Sequence, residues 1–436
     1  MTDRTFPHVL LLAGAGGHAP QEALTSIRTL GANASLVYID AWASADAVRT
    51  MFDALQPGGE LVVVHDLDEA VEAAVALHGR QPIAGVVTYS ELLLLPHAQI
   101  ASRLSLPGSP PEAVAIAQSK ARQREVFARC GVATPRFAIF DDATQLDAAI
   151  AHVGLPAVFK PSLGAGSVGV QRVHTRAQAE AALCAFVAER SVFLQPDPHV
   201  LLEEPLALEG DPGSPFADYV SVESLLVDGQ AQHLTVTDRG RLTHGYVEEG
   251  LVMPSRLDAL AQARIVEEAD KAIRAIGLTH GAVHTEVAWV GGEAKIIEVN
   301  ARAGGPVPSM FKACAGYNYA AEIARSYLGE RSIAAPAFGR IAWHRFVPIP
   351  EGQWRIASMT PVDQVKQRFA SSIVYLSPRF KVGQTVSRAL TLHLASFLVT
   401  APTHEAALAL VAEVEAALAI RLEPLPDTQP CVEAVA

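Results

Sequence analysis

The chain has 436 residues, half of them hydrophobic, which suffices for a large core spread over roughly two to four domains. Its net charge of −12 argues against a nucleic-acid partner, although local cations can still bind an anionic nucleotide. The four cysteines, Cys130, Cys184, Cys314 and Cys431, have no ligand-like spacing, so we expect buried free thiols in a reducing compartment. Neither a signal-like segment nor a membrane-spanning apolar run occurs, so we expect a cytoplasmic protein without a membrane partner.

The first hundred residues alternate short apolar runs with amphipathic segments. HVLLLAG, ASLVYID, ELVVVHD and IAGVVTY predict strands, and helices are expected near 20–30 and 67–78. This β-α-β alternation predicts a parallel sheet covered by helices. LLLAGAGGHA contains Gly14-x-Gly16-x-x-Ala19, and Asp40 ends the next strand, as in a dinucleotide-binding fingerprint. A nicotinamide-dependent oxidoreductase is therefore one hypothesis, and a tight turn that binds no cofactor is the other.

The pattern changes after the first domain. Pro110-Pro111 begins a predicted helix that continues to Cys130 and ends at Gly131, and paired strands follow, so we place a boundary near residue 118. EGDPGSPFAD (209–218) predicts a surface loop. The segment 403–420 predicts an amphipathic helix that closes a last small subdomain.

A glycine-rich segment, AVFKPSLGAGSVGV (157–170), follows the pattern Gly164-x-Gly166-x-x-Gly169. It is not a Walker A loop, because Lys160 precedes the glycines. It is not a Rossmann turn either, because VGVQRVHT predicts a second strand rather than a helix. The remaining interpretations are a plain hairpin loop, or a flap that covers a triphosphate with backbone N–H groups and the Ser167 hydroxyl.

The stretch GAVHTEVAWVGGEAKIIEVN (281–300) predicts two strands around a glycine turn. Alternation places His284 and Glu286 on one face of the first strand, and Glu298 and Asn300 on one face of the second. A turn with an odd number of residues would set Glu286 opposite Glu298, whereas a two-residue turn would put them on opposite faces. Facing carboxylates repel unless a cation lies between them. We therefore predict a Mg²⁺ site, with Mn²⁺ as a possible substitute and Asn300 as a third ligand.

The segment ARAGG directly follows this hairpin. Arg302 can clamp a phosphoryl or carboxylate oxygen. The backbone N–H groups of Gly304 and Gly305 can stabilise a developing oxyanion. An exposed hairpin with scattered acids is the alternative interpretation of the whole region.

Together with Lys120 in QSKARQREVF and with LLEEPL (201–206), these motifs occur in the order found in the ATP-grasp superfamily. Over residues 8–420 the chain resembles the L-amino-acid ligases, a group that includes dipeptide synthetases and carnosine synthase. The resemblance implies a multidomain α/β and α+β protein with the ATP-grasp fold. It implies a Rossmann-like domain at 1–117, a lid lobe with the glycine flap at 118–205, a catalytic lobe at 206–335 and a C-terminal subdomain at 336–436 that completes the catalytic lobe. The N-terminal glycines then need no nicotinamide.

The resemblance also implies roles for individual residues. ATP would be held by Lys120, Lys160, Gly164, Gly166, Ser167 and Gly169, and its adenine by Glu203, Glu204 and Leu206. Mg²⁺ would be bound by Glu286, Glu298 and Asn300, and the catalytic groups would be Arg302, Glu286 and Glu298. Substrate contacts would come from Glu223, Asp238, Arg239, His244, Glu249, His284, Arg302, Gly304 and Gly305. The chain departs from the family in the longer segment EGDPGSPFADY, which leaves the ribose-binding acid unassigned, and in Arg239, where lysine is common.

The activity implied by the resemblance is ATP-dependent formation of an amide bond between a carboxylate and an amine, with a dipeptide as the favoured product. An acyl phosphate would be the intermediate, and ADP and phosphate would be released. The expected partners are amino acids and ATP, with a homodimer as a family expectation. An ATP-grasp carboxylase that uses bicarbonate is the main alternative. A non-catalytic nucleotide-binding module is disfavoured, because every metal and phosphate ligand of the motif is present.

Overall fold

The protein is described here by a computed structural model that covers residues 7–40, 44–55, 57–164, 168–188, 198–211, 213–243, 246–331, 334–387 and 393–425. Its secondary structure forms a mixed α/β architecture with several sheets, as the sequence predicts. None of the described helices combines the length and the apolar composition needed to cross a membrane.

The N-terminal segment forms a parallel sheet of order β3-β2-β1-β4, flanked by helices. Its elements are β1 (His8–Ala13), α1 (Pro20–Arg28), β2 (Asn33–Ile39), α2 (Asp46–Leu55), β3 (Gly58–Val64), α3 (Leu67–Arg80), β4 (Gly85–Val87) and α4 (Leu94–Arg103). The fully buried runs in β1 and β2 are typical of parallel strands covered on both faces. The predicted strands and helices of this region are thus present in the predicted order.

The predicted helix after Pro110 is in fact two helices, α5 (Pro111–Gln118) and α6 (Lys120–Cys130). Ser119 adopts an extended conformation between them, and its hydroxyl caps α6 by accepting from the Arg122 N–H. The Lys120 N–H donates to the Ser162 carbonyl, so the start of α6 is fixed to a neighbouring sheet. The break was not predicted because this tertiary contact is absent from the local pattern. The predicted end at Gly131 is confirmed, with Gly131 in the left-handed conformation.

The next segment is a small antiparallel sheet with two helices. It contains β5 (Phe137–Phe140), α7 (Leu146–Val153), β6 (Ala157–Pro161), β7 (Gln171–Val173), α8 (Arg176–Ala188) and β8 (Val200–Glu203), with strand order β5-β8-β6-β7. The antiparallel pair β6 and β7 encloses the glycine-rich segment, so the strand, loop and second strand of the flap interpretation are all present. Residues 165–167, which include Gly166 and Ser167, lie outside the described residues.

An eight-stranded sheet of order β15-β14-β9-β10-β13-β16-β20-β18 forms the centre of the molecule. The elements of this segment are β9 (Phe216–Val227), β10 (Gln230–Gly240), β11 (Leu242–Thr243), β12 (Val247–Glu248), β13 (Gly250–Met253), α9 (Ala259–Ile276), β14 (Gly281–Val290), β15 (Glu293–Asn300), α10 (Val307–Ala315) and α11 (Tyr319–Ser326). Strands β11 and β12 form a separate two-stranded sheet. Strand β9 begins at Phe216, so the predicted surface loop 209–218 is shorter than expected.

The C-terminal segment extends this same sheet. Its elements are β16 (Ile341–Pro348), β17 (Gln353–Ser358), α12 (Val362–Arg368), β18 (Ile373–Pro378), β19 (Thr385–Ser387), β20 (His393–Ala401), α13 (His404–Leu418) and β21 (Arg421–Pro424). Strand β16 pairs with β13 and with β20, while β17, β19 and β21 form a separate small sheet. Helix α13 agrees with the helix predicted over 403–420.

One large apolar cluster joins the N-terminal domain to the central sheet. It includes Leu24 of α1, Phe311 of α10, Tyr319 of α11 and Leu398 of β20. Such a shared core holds the N-terminal domain in a fixed position beside the sheet. The expectation of buried cysteines is confirmed only for Cys314. Cys130 and Cys184 are exposed, and Cys431 lies outside the described residues.

Candidate active site

A cleft of about 420 Å³ lies between the small antiparallel sheet and the central sheet. The small sheet and α6 contribute Lys120, Arg124, Val158, Lys160 and Glu203. The central sheet contributes Arg239, His284, Glu286, Ile297 and Glu298, the separate strand β12 contributes Glu248, and Arg302 and Gly305 follow β15. This single cleft therefore collects most of the residues that the sequence motifs predict for nucleotide, metal and substrate.

Two lysines lie on the side of the cleft formed by α6 and β6. Lys120 Nζ lies 3.1 Å from Glu298 Oε2 and donates to the Gly164 carbonyl at 3.1 Å. Lys160 Nζ lies 2.7 Å from Glu203 Oε2. Burial lowers the pKa of Lys160 to about 8, although Glu203 opposes the effect. The two ammonium groups thus face one cleft from neighbouring elements, as anionic phosphates require.

The buried Arg124 was not among the predicted site residues. Its side chain is fully enclosed, and its Nε donates to Glu203 Oε1 at 2.8 Å. Because Arg124 and Lys160 share Glu203, the arginine fixes the carboxylate that orients the lysine. Arg124 lies four residues after Lys120 on α6, so both side chains project from the same helix face. That spacing is the local signal that could have revealed it.

The flap keeps the features that its glycines predict. Gly164 and Gly169 both have positive φ, and a Cβ at Gly169 would lie 2.8 Å from the Pro161 side chain. Val168 and Val170, at the far end of the flap, line the cleft. The described part of the flap therefore covers the same cleft that the two lysines face.

Glu286 and Glu298 face each other across β14 and β15, although the turn does not have the odd number of residues that would have aligned them. The turn Gly291-Gly292 has two residues, which by itself would put the two carboxylates on opposite faces. A β-bulge at Ile297 shifts the register, so that Glu286 pairs with Glu298 while Val287 pairs with Ile296. Arg124 Nη2 donates to the Ile297 carbonyl at 2.7 Å, and so binds a backbone group at the bulge.

Both carboxylates remain ionised despite burial. Burial acts to raise the pKa of Glu298, but Lys120 and a hydrogen bond from Asn300 hold it well below its usual range. Burial also acts to raise the pKa of Glu286. The charge of Arg239 and a hydrogen bond from His284 outweigh this effect and lower the pKa. The donors that converge here are two carboxylates and the Asn300 amide, all hard oxygen ligands. This set fits Mg²⁺ and equally Mn²⁺.

Arg302 is held by a residue of the N-terminal domain. Its Nε donates to Glu91 Oε2 at 2.7 Å, and Gln118 donates to the Glu91 carbonyl at 2.9 Å. Glu91 lies shortly after β4, at the carboxyl edge of a parallel sheet, where ligand-binding residues of α/β proteins cluster. Glu91 was not among the predicted site residues, because nothing in its local sequence indicates a partner more than two hundred residues away.

His284 lies at the centre of a buried polar network on β9, β10 and β14. Its Nδ1 lies 2.9 Å from both carboxylate oxygens of Glu223, and Ser221 donates to Glu223 Oε1. Burial acts to lower the pKa of His284, but the Glu223 charge and hydrogen bond raise it to about 9. The predicted His284 and Glu223 are therefore a directly bonded pair, with the histidine facing the cleft and the glutamate behind it.

Arg239 connects this network to two further acids. Its Nη2 donates to Glu248 Oε2 at 2.8 Å and to Glu286 Oε1 at 3.2 Å, and its Nη1 lies 3.3 Å from His284 Nε2. Burial raises the pKa of Glu248 to about 7, although Arg239 opposes the shift. Glu248 was not among the predicted site residues. The sequence offers Glu248 and Glu249 side by side, and only the direction of each side chain distinguishes them.

Several predicted substrate contacts do not line the cleft. Asp238 is buried on the opposite face from Arg239, where it accepts hydrogen bonds from the Ser255 hydroxyl and the Arg256 N–H. Glu249 pairs with Arg345 at 2.6 Å. His244 lies outside the described residues. The structure thus assigns Asp238 and Glu249 to holding β10, β13 and β16 in place rather than to the cleft wall.

The remaining predicted residues lie at the edges of the cleft. Glu204 and Leu206 line it, and Glu204 pairs with Arg136 and Lys295. Gly305 lines it beside the start of α10, while Gly304 is buried against His284. A Cβ at Gly304 would lie 2.7 Å from His284 Nδ1, so only glycine fits there. Asn300 sits beside Glu298, to which its amide donates at 2.9 Å.

The N-terminal glycine turn is filled by the protein itself. A Cβ at Gly17 would lie 2.4 Å from the Tyr89 carbonyl oxygen, and Ser90 donates to the Ala15 carbonyl at 2.7 Å. Asp40, the acid of the dinucleotide-binding fingerprint, accepts from His65 Nδ1 at 2.6 Å. These contacts favour the interpretation of the glycines as a tight packed turn over that of a nicotinamide site.

Comparison with known proteins gives consistent findings. Residues 153–309 match the ATP-grasp domain. The chain is 31% identical to an alanine–anticapsin ligase of Bacillus subtilis over 55% of this chain and 52% of that protein. The chain therefore spans about half the length of this relative.

Solved structures are similar over nearly the whole chain. An L-amino acid ligase from Bacillus licheniformis superposes with a TM-score of 0.74 at 19% identity, covering 96% of this chain and 99% of that chain. A biotin carboxylase from Campylobacter jejuni superposes with a TM-score of 0.67 at 16% identity, covering 95% and 92%. At these identities the similarity establishes the fold, which ligases and carboxylases share.

Proposed function

The chain carries an ATP-grasp domain within an ATP-grasp fold, and from this premise we propose that it is an ATP-dependent carboxylate–amine ligase that joins two amino acids. The observation that carries the proposal is the pair Glu286 and Glu298, set face to face beside Lys120 within a cleft that Lys160 also lines. Hard oxygen ligands next to paired cations are what a metal-bound triphosphate requires.

Glu286, Glu298 and Asn300 would hold Mg²⁺, with Mn²⁺ as a substitute. The ion would supply neutralisation of phosphate charge. Lys120 and Lys160 would bind phosphate oxygens under the flap, which would also exclude water from the reacting groups. Glu204 and Leu206, which line the cleft, would contact the adenine.

In the first step an oxygen of the substrate carboxylate attacks the γ-phosphorus of ATP, the bond to the β-phosphate oxygen breaks, and ADP forms together with an acyl phosphate. Arg302 spreads the charge of the transferring group, and Glu91 fixes the orientation of the Arg302 side chain. In the second step a neutral amine attacks the acyl carbon, the bond from that carbon to the phosphate oxygen breaks, and phosphate leaves with the proton that the amine loses. Arg302 and the backbone around Gly305 can stabilise the oxyanion of that step.

Two alternatives share part of this support. A carboxylase that uses bicarbonate would have the same fold. The relative that matches 55% of this chain in sequence, however, is named a ligase. A nicotinamide oxidoreductase would need the N-terminal turn, which Tyr89 and Ser90 fill, and would give Glu286, Glu298 and Arg302 no role. The ligase is therefore the function that gives Glu286, Glu298 and Arg302 a role and that agrees with the named relative.

The test is ADP formation from Mg-ATP over a matrix of amino acids, singly and in pairs, with bicarbonate alone as a further arm. We expect turnover only with particular pairs, and its loss in Glu298→Gln. Glu293→Gln is the matched control, because Glu293 is exposed on the same strand. Turnover with bicarbonate alone would assign the chain to the carboxylases. An absence of ATP binding would refute the proposal outright.

The oligomeric state is a separate question. Light scattering coupled to size-exclusion chromatography would test the expected homodimer.

A further inference from the structure

One wall of the cleft consists of uncharged side chains and has no role in the proposed chemistry. Leu251 of β13, Phe346 and Pro348 of β16, and His393 of β20 line it. Helix α10, which begins directly after Gly305 and Pro306, packs on β16. Phe346 packs on the same apolar cluster as residues of α10. The wall therefore adjoins the segment that carries Arg302.

Phe346 is held rigidly and offers an apolar surface. Its ring lies edge-on to His344 at 4.4 Å between centroids, and it contacts His393 at 4.7 Å. Burial lowers the pKa of His344 to about 3 and that of His393 to about 4, so both imidazoles are neutral near pH 7. A half-buried ring between two neutral rings contacts apolar groups well, because it has already lost its freedom of movement.

The charges of the cleft are already matched. Each cationic side chain among the described lining residues has a carboxylate partner: Lys120 with Glu298, Lys160 and Arg124 with Glu203, Arg239 with Glu248, and Arg302 with Glu91. A charged substrate side chain packed on the uncharged surfaces of Leu251, Phe346 and Pro348 would lose its hydration at that contact. A large uncharged side chain would instead exchange water for contacts with the wall.

We propose that one of the two amino acids joined by this protein has a large uncharged side chain, aromatic or aliphatic, that packs against Phe346, with Leu251, Pro348 and His393 completing the subsite. The inference rests on the proposed ligase function for its reaction. It adds the class of side chain, which neither the fold nor the motifs specify.

The test compares L-phenylalanine, L-methionine and L-leucine with L-alanine, L-glutamate and L-lysine as one member of each pair. We expect kcat/KM to favour the first group by about 10-fold or more, the scale of burying one large apolar side chain. Phe346→Ala should lower kcat/KM for L-phenylalanine by about 10- to 100-fold, and that for L-alanine by much less. Phe346→Leu, which better preserves packing, should give a smaller loss of the same kind.

The control is Val374→Ala, an exposed position on β18. Thermal unfolding of each variant verifies that it is folded. A preference for small, acidic or basic amino acids would overturn the subsite, as would an equal loss for every amino acid in Phe346→Leu.

A binding measurement separates the subsite from the reaction. Titration calorimetry of L-phenylalanine into protein with Mg²⁺ and a non-hydrolysable ATP analogue requires no turnover. Weaker binding in Phe346→Leu than in the wild type supports the subsite, and equal binding, or no binding to the wild type, refutes it. If L-phenylalanine binds in this way while no pair of amino acids yields ADP, the ligase proposal fails and the apolar ligand site remains.

Discussion

Arg124 offers the sharpest test of how the site is supported. Its guanidinium is fully buried, donates to both Glu203 oxygens, at 2.8 and 3.4 Å, and donates to the Ile297 carbonyl at 2.7 Å. Removing one partner of a buried ion pair costs about 3–5 kcal/mol, because the other charge is left without compensation. Glu203 would retain Lys160 at 2.7 Å, so we expect Arg124→Met to lower the free energy of unfolding by about 3 kcal/mol, the lower end of that range.

The measurement is chemical denaturation followed by far-UV circular dichroism, with Arg176→Met as the control. Arg176 forms an exposed pair with Asp147, and its removal should change stability little. Because Arg124 also binds the carbonyl of the bulge that aligns Glu286 with Glu298, the Arg124 variant should bind Mn²⁺ more weakly in the presence of ADP. Equal denaturation curves for the two variants would refute the argument from burial, and unchanged Mn²⁺ binding would refute the link to the bulge.

Four further results are expected. Glu91→Gln should lower kcat by up to about 100-fold with an unchanged KM for ATP, because Arg302 loses its orienting charge; a rise in KM alone would contradict this. The KM for Mg-ATP should rise with pH above about 8 as Lys160 loses its proton, and Lys160→Arg should remove this dependence; a flat wild-type profile would argue against a phosphate contact. Over the same pH range the free energy of unfolding should rise with pH. Lys160 loses its proton in the folded protein, whereas in the unfolded chain, with a pKa of 10.5, it still binds the proton. Gly304→Ala should lower the thermal midpoint by several degrees, whereas Gly305→Ala, with open space at its Cβ, should not.

Much of the architecture follows from local pattern. The alternation of apolar runs with helices predicts the parallel N-terminal sheet, and β-branched residues after the glycines distinguish a flap from a helix-initiating turn. Period-two alternation places His284 with Glu286, and Glu298 with Asn300, because side chains alternate along any strand regardless of what the strand packs against.

The proposed ligands also follow from the sequence alone. Two carboxylates, an amide two residues after the second of them and an arginine two residues after the amide indicate metal and phosphate binding. Hard oxygen donors suit a metal ion, and a planar guanidinium suits a phosphate. These inferences need only the residue types and their order, so no tertiary contact had to be known.

The tertiary structure decided what depends on distant partners. A two-residue turn would have separated Glu286 from Glu298, and the bulge at Ile297, whose carbonyl Arg124 binds, brings them together. Glu91 reaches Arg302 from the end of the N-terminal parallel sheet, and Glu248 rather than Glu249 faces the cleft. Small differences in packing between segments far apart in the chain set the register shifts, the buried ion pairs and the choice between neighbouring acids. These features cannot be predicted from local sequence, because they depend on contacts with distant segments.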